Sequence, residues 1–94
     1  MKLRKVKNEK GRLMYYLIET KKGGFRFYKT YTKKVHSRMK RYIEWHVDYF
    51  DKDGKQINIT PVSNLPGNGY SSLATAKRLY KYDFEKRMNN RAAN

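Results

Sequence analysis

The order of apolar and polar residues along the chain predicts strands first. Leu13–Ile18 is a continuous apolar run, typical of a strand buried on both faces or of one half of a dimer seam. Phe25–Tyr31 alternates aromatic with polar residues, as a half-buried strand does. Arg41–Asp51 has the most regular alternation, and the residues predicted to share its apolar face are Ile43, Trp45, Val47 and Tyr49.

Short turn sequences join these strands into two hairpins. Lys21–Gly24 separates the first pair, and its two glycines allow the positive φ values that a tight turn needs. Lys52–Gly54 contains Asp-Gly, a strong hairpin dipeptide, and leads into a return strand at Lys55–Thr60. Pro61 ends that strand because proline has no N–H group to donate to the ladder. Residues 12–60 are therefore predicted to form two hairpins.

The last third of the chain predicts a loop followed by a helix. Residues 61–70 are rich in Ser, Asn, Pro and Gly, a composition typical of a loop. Residues 71–91 have helical spacing, and Ser71 or Ser72 is suited to cap the first turn. The apolar stripe that recurs every three or four residues consists of Leu73, Ala76, Tyr80, Phe84 and Met88.

Together these elements predict an α+β fold, in which one C-terminal helix covers a small antiparallel sheet of about four strands. A chain of 94 residues forms one domain at most. Residues 1–10 are predicted to be a basic arm or a first strand. Because one helix covers only one face of a sheet, the apolar run Leu13–Ile18 also predicts a homodimer that buries the other face.

Charge is the strongest feature of the composition. Twenty-three Lys and Arg against 8 Asp and Glu give a formal net charge of +15 at pH 7. A chain with this charge repels itself and is attracted to polyanions such as RNA or DNA. The chain also contains 9 Tyr, 4 Phe and 1 Trp, whereas disordered basic tails are poor in aromatic residues. We therefore expect a folded domain that binds nucleic acid.

The composition excludes several other classes of protein. No cysteine is present, which rules out disulfides, a thiol nucleophile and a cysteine-ligated zinc site. No run reaches the roughly 18 apolar residues that a membrane span needs. Met1 is not followed by the apolar stretch of a signal peptide. We expect a cytoplasmic protein with no membrane partner and no cofactor.

The segment from Lys21 to Arg41 is the main candidate binding site. It contains nine basic residues and no acidic one, so it is suited to neutralise phosphates. Aromatic residues interleave with these charges, and Tyr28 is expected to stack on bases while Tyr31 belongs partly to the core. The residues predicted to bind nucleic acid are Lys21, Lys22, Arg26, Tyr28, Lys29, Lys33, Lys34, Arg38, Lys40 and Arg41.

Catalytic and metal-binding patterns are weak by comparison. Glu44, His46 and Asp48 share one strand face, a spacing compatible with metal or acid–base chemistry, but we expect a solvated strand face instead. Glu44 and Asp48 are also placed to contact a basic partner or to pair with lysine on a neighbouring strand. The sequence contains no Gly-rich phosphate loop and no nucleophile elbow. We therefore expect a binding protein without catalytic or metal-ligating residues.

Two resemblances bear on the function. Trp45–Lys55, followed by Ser72–Ala76, resembles the arm-type DNA-binding domain of tyrosine recombinases. That domain is a three-stranded sheet with one helix, and its sheet enters the major groove. The resemblance thus implies a sheet that contacts nucleic acid, without the catalytic domain of a recombinase. The composition of the whole chain, rich in Lys, Tyr and Asn, resembles that of short early proteins of tailed phages, which act in the host cytoplasm.

Two functions follow from these observations. The first is non-catalytic nucleic-acid binding, with RNA or single strands favoured because aromatic residues lie beside the basic run and no helix-turn-helix pattern is present. Such a protein would serve as a phage accessory factor. The alternative is an inhibitor that binds a host nuclease, a toxin, another defence factor or a ribonucleoprotein.

Overall fold

A meander of five antiparallel strands and one C-terminal helix make up the fold. The computed structural model describes residues 3–31, 43–59 and 69–92. The strands pair in chain order, and their bounds are β1 Arg4–Lys7, β2 Leu13–Thr20, β3 Gly23–Tyr31, β4 Ile43–Asp51 and β5 Gln56–Ile59. Helix α1 spans Leu73–Ala92. The α+β class with a terminal helix is therefore confirmed, and residues 4–7 add a fifth strand to the predicted sheet.

The turn between β2 and β3 differs from the prediction. Lys21 and Lys22 form the turn, while Gly23 and Gly24 are the first residues of β3. Gly23 has a φ of 151°, and a Cβ there would overlap the carbonyl oxygen of Phe50 on β4. A Cβ on Gly24 would lie 2.8 Å from the Phe50 ring. The two glycines therefore allow close approach of β4, rather than providing the turn itself.

The turn between β4 and β5 is confirmed. Gly54 has a φ of 82°, and its N–H donates to the carbonyl oxygen of Asp51 at 2.9 Å. The Asp51 carboxylate accepts the N–H groups of Asp53 and Lys55, both at 2.9 Å. This side chain thus holds the turn that the Asp-Gly dipeptide predicts.

Helix α1 begins as predicted and supplies one side of the core. Ser72 caps it, since its hydroxyl oxygen accepts the N–H of Thr75 at 3.1 Å. The Tyr80 ring lies 4.9 Å from that of Phe25 and 5.0 Å from that of Phe27, measured between centroids. The buried core residues are Ile18, Phe25, Phe27, Val47, Ile59, Tyr70, Ala76 and Tyr80.

The apolar stripe of α1 ends earlier than predicted. Met88 is 37% exposed, and every residue from 85 to 90 is exposed. Phe84 is the last aromatic residue of the helix to reach the sheet, where its ring lies 4.5 Å from that of Tyr49. The prediction that Met88 belongs to the core is therefore wrong, because spacing alone does not show where the sheet beneath the helix ends.

The helix covers only part of the sheet. It packs over β4 and β5, and its aromatic side chains reach β3. Tyr70, which pairs with Trp45 at the edge of β4, donates its hydroxyl to Asp83 of α1 at 2.6 Å. A helix is about 10 Å wide, whereas five strands spaced about 4.8 Å apart span roughly 19 Å. Among the described residues, α1 therefore leaves Lys5 of β1 and the Met14 end of β2 uncovered on its side of the sheet, whereas Ile18 of β2 is buried in the core.

Candidate functional site

An aromatic and basic surface lies on the helix side of the sheet, beside the part that α1 covers. We call it the shelf, and its residues are Lys5, Met14, Tyr16, Lys29, Tyr31, Ile43 and Trp45. Strand pairing sets their positions, because Lys5 is opposite Tyr16, Lys29 is opposite Trp45 and Tyr31 is opposite Ile43. Side chains directly opposite each other in a sheet lie on the same face. The shelf thus draws residues from four strands.

The aromatic residues of the shelf differ in exposure. Tyr16 and Trp45 are half-buried, their ring centroids lie 6.0 Å apart, and both pack against the core. Tyr31 is 60% exposed at the end of β3. Two aliphatic side chains extend this apolar surface, with Met14 54% and Ile43 47% exposed. The shelf therefore offers one accessible aromatic ring, that of Tyr31, while Tyr16 and Trp45 are held in place by the core.

Positive charge lies within the shelf and at the end of the sheet beside it. Lys5 and Lys29 belong to it and are exposed. The turn between β1 and β2 lies at the same end of the sheet and contributes exposed Lys10 and Arg12 against Glu9. Residues 32–42 connect Tyr31 to Ile43 along the chain. Their basic members Lys33, Lys34, Arg38, Lys40 and Arg41, all predicted site residues, lie outside the described residues.

Acidic residues do little to offset this charge. All eight lie within the described part of the chain, and none belongs to the shelf. Glu44 and Asp48 are only 1% and 2% exposed. Asp51 holds a turn, and Asp83 accepts the hydroxyl of Tyr70. Half of the acidic residues are thus committed to the fold itself, so the surface is more strongly basic than composition alone indicates.

The opposite face of the sheet carries a hydrogen-bonded network around Asp48. One Asp48 oxygen accepts hydrogen bonds from the Arg26 guanidinium at 2.8 Å and from the Gln56 amide at 2.7 Å. The other oxygen accepts one from the Asn58 amide at 3.0 Å. The expectation that the face of Glu44, His46 and Asp48 is a solvated strand face is therefore wrong. The alternative, pairing of Asp48 with lysine on a neighbouring strand, is right about the cross-strand ion pair and wrong about the residue, since the cation is Arg26.

Tyr28 is part of this network. Its ring stacks on His46, with centroids 5.6 Å apart and planes at 22°. Burial is the main cause that raises the pKa of the Tyr28 hydroxyl, and the negative charge of Asp48 adds to it. The Arg26 guanidinium lies 5.6 Å from the Tyr28 ring centroid and 5.5 Å from that of Tyr15. Both the ring and the hydroxyl of Tyr28 therefore have partners within the protein.

The structure distributes the five predicted site residues that it describes over three surfaces. Lys29 belongs to the shelf, whereas Arg26 and Tyr28 lie on the opposite face. Lys21 and Lys22 form the turn at the far end of β3, about 30 Å from Tyr31 at 3.3–3.4 Å per residue. The expectation that Tyr31 belongs partly to the core is wrong, because the helix does not extend over the end of β3.

Sequence reasoning missed most of the shelf. Lys5, Met14 and Ile43 were not singled out as binding residues, since they are far from Lys29 in sequence and from one another. The alternation of Arg41–Asp51 does predict the shared face of Ile43 and Trp45, but it does not predict their exposure. These side chains come together only because consecutive strands pair from β1 through to β4.

Comparisons of the chain with protein-family models, curated proteins and solved structures found no match. The resemblances to recombinase arm-type domains and to phage early proteins therefore stay predictions. Among residues 3–31, 43–59 and 69–92, no helix is long and apolar enough to cross a membrane. The same residues contain no cluster of three or more His, Cys, Asp or Glu side chains suited to hold a metal ion.

Proposed function

We propose that this chain is a non-catalytic nucleic-acid-binding protein, that it uses the shelf, and that it prefers RNA or single strands to duplex DNA. The observation that carries the proposal is the exposed Tyr31 ring, two residues from exposed Lys29, on a surface without acidic residues. This combination supplies a stacking partner for a base together with a cation for its phosphate.

The preference for unpaired bases follows from the geometry of stacking. A base presents its flat face only where it is unstacked, in single strands and in RNA loops. Tyr31 projects from a sheet surface with Ile43 directly opposite and Met14 on the same face, so a base on the ring also covers apolar surface. A duplex meets the same lysines but leaves the ring without a base to stack on.

The opposite face supports this role less well. The charge of Arg26 is neutralised by Asp48 at 2.8 Å. The ring of Tyr28 already stacks on His46. Ligand stacking there would have to replace contacts that the protein makes with itself. We therefore assign the binding role that the sequence predicted for Tyr28 to Tyr31.

The test compares Tyr31→Ala with Tyr82→Ala. Tyr82, on the outer surface of α1, is 63% exposed against 60% for Tyr31, so the pair is matched in residue type and exposure. Fluorescence anisotropy would measure the affinity of each variant for single-stranded RNA, single-stranded DNA and duplex DNA. Loss of the Tyr31 ring should weaken single-strand binding about 5- to 150-fold, the equivalent of ~1–3 kcal/mol per stacked base.

Three outcomes decide the matter. A loss confined to Tyr31→Ala, and larger for single strands than for duplex, supports the proposal. Equal affinities for both variants and the wild type would contradict the stacking role of the shelf. Failure of the wild-type protein to bind any of the three oligonucleotides at physiological salt would overturn nucleic-acid binding altogether and favour the protein-binding inhibitor instead.

A further inference from the structure

The flank of α1 that faces the uncovered strands carries two lysines. Tyr80 and Phe84 contact β3, whereas Asp83 bonds to Tyr70 on the β5 side. Because successive helical residues are rotated by about 100°, Lys77 and Lys81 lie beyond Tyr80 and Phe84 on the β3 side. The Lys81 ammonium lies 6.0 Å from the centroid of the Tyr80 ring.

These lysines extend the shelf along the molecule. The helix begins just after Tyr70, whose partner Trp45 is a shelf residue, and it runs toward the end of the sheet that holds Phe25 and Tyr49. Lys77 and Lys81 are both exposed and are about 6 Å apart along the helix axis. They form a row of positive charge that begins beside the shelf and leads toward the turn of Lys21 and Lys22.

Among the described residues, Glu85 is the acidic residue nearest to these lysines on this flank of the helix. Asp83 lies on the other flank and is bonded to Tyr70. Glu85 comes one turn after Lys81 on the same flank, at the i,i+4 spacing that favours a pair with it, whereas the next residue of that row before Lys77 is Leu73. Glu19 is on the opposite face of the sheet and pairs with Arg4. Cations thus line the groove between α1 and the uncovered strands, from the shelf to Lys81.

We infer that a single-stranded polynucleotide seated on the shelf continues along this flank of α1, with Lys77 and Lys81 binding its next phosphates. The inference rests on the proposed function and adds a direction and a length to it. The shelf alone accommodates a short oligonucleotide, and the smallest single-strand sites span about 4 nucleotides. A longer strand reaches the lysines of α1, so affinity increases with length beyond the shelf.

The test uses two double variants of the same helix. Lys77→Ala/Lys81→Ala removes the charges on the inferred path, and Arg78→Ala/Lys86→Ala removes two charges elsewhere on α1. All four residues are exposed, alanine favours the helix, and both variants lower the net charge by two. Circular dichroism would confirm that each variant keeps its helix. Affinities would be measured for single strands of about 4 and about 12 nucleotides.

The inference predicts a difference between the two variants on the long strand alone. Lys77→Ala/Lys81→Ala should bind the longer strand about tenfold more weakly than the control variant, and its slope of log affinity against log salt should flatten by about 1.4. On the short strand, the two variants should bind equally. Equal losses on the long strand would overturn the path, because they would show a response to net charge alone.

Failure of this inference is distinguishable from failure of the proposed function. Tyr31→Ala on the short strand tests the shelf by itself. If that variant loses affinity while the two helix variants stay equal on the long strand, the shelf binds and the path is wrong. If Tyr31→Ala binds the short strand as the wild type does, the shelf is not the site and the path along α1 is wrong with it.

Discussion

Arg26 and Asp48 lie directly opposite each other on β3 and β4, and the guanidinium donates a hydrogen bond of 2.8 Å to a carboxylate that is only 2% exposed. Gln56 and Asn58 on β5 donate to the same carboxylate. A buried carboxylate in a chain with a net charge of +15 thus joins three strands on the face that α1 does not cover.

Removing this carboxylate should destabilise the fold strongly. Asp48→Ala leaves the Arg26 charge and two amide groups without their acceptor, and breaking a buried pair from one side costs about 3–5 kcal/mol. Glu85→Ala is the matched control, because it removes one negative charge from an exposed site and should change the free energy of unfolding by about 0.5 kcal/mol or less. Urea denaturation would measure the free energy of unfolding of both variants. Equal denaturation midpoints for Asp48→Ala and Glu85→Ala would contradict a structural role for Asp48.

Substitution of Gly23 should be more damaging than that of Gly11. Both glycines have positive φ, 151° and 77°, backbone conformations that cost an L-residue about 1–3 kcal/mol. A Cβ at Gly11 meets no atom within 4 Å, whereas one at Gly23 overlaps the Phe50 carbonyl oxygen. Gly23→Ala should therefore lower the free energy of unfolding by a further 1–3 kcal/mol or so. Similar melting temperatures for the two variants would show that β4 does not approach β3 this closely.

Because of the hydrogen bond between Tyr70 and Asp83, the free energy of unfolding should depend on pH in the alkaline range. Burial raises the pKa of the Tyr70 hydroxyl well above its usual range, and the hydrogen bond to Asp83 adds to this effect. A raised pKa in the folded state means that the stabilisation is complete below the unfolded value, near pH 10, and declines as the pH rises further.

Tyr70→Phe tests this dependence. At pH 7 it should cost about 1.5–3 kcal/mol, because the hydrogen bond to a charged acceptor is lost. Above about pH 10 the difference in free energy of unfolding between the wild type and Tyr70→Phe should narrow. Comparison with the variant cancels the effect of lysine titration, which both proteins share. A difference that stays constant up to pH 11 would contradict the assignment.

Salt should weaken binding by the proposed interface in a predictable way. Contact with about six phosphates of a single strand gives a slope of log affinity against log salt near −4. Lys29→Ala on the shelf should flatten that slope by about 0.7, whereas Lys52→Ala, in the turn at the other end of the sheet, should leave it unchanged. A wild-type slope near zero would contradict electrostatic binding. Equal slopes for both variants would show that Lys29 does not contact the phosphates.

Local patterns in the sequence determined the elements of this fold. The alternation in Arg41–Asp51 predicts β4, the Asp-Gly dipeptide predicts the turn after it, and Ser72 predicts the start of α1. Each prediction depends on residues only a few positions apart, so a single sequence is sufficient for it. Net charge is also a property of composition, and it predicts a polyanion as partner without any structure.

The tertiary structure decided which of these residues lie together and which are accessible. In the sequence, Lys21–Arg41 is one basic segment. In the fold, alternation along β3 places Arg26 and Lys29 on opposite faces of the sheet, and the length of the strand separates both from Lys22. Tyr28 packs within the protein because His46 and Asp48 come from another strand, and Tyr31 is exposed because α1 does not extend over the end of β3. Exposure and charge pairing depend on contacts between residues distant in sequence, and neither composition nor periodicity encodes those contacts.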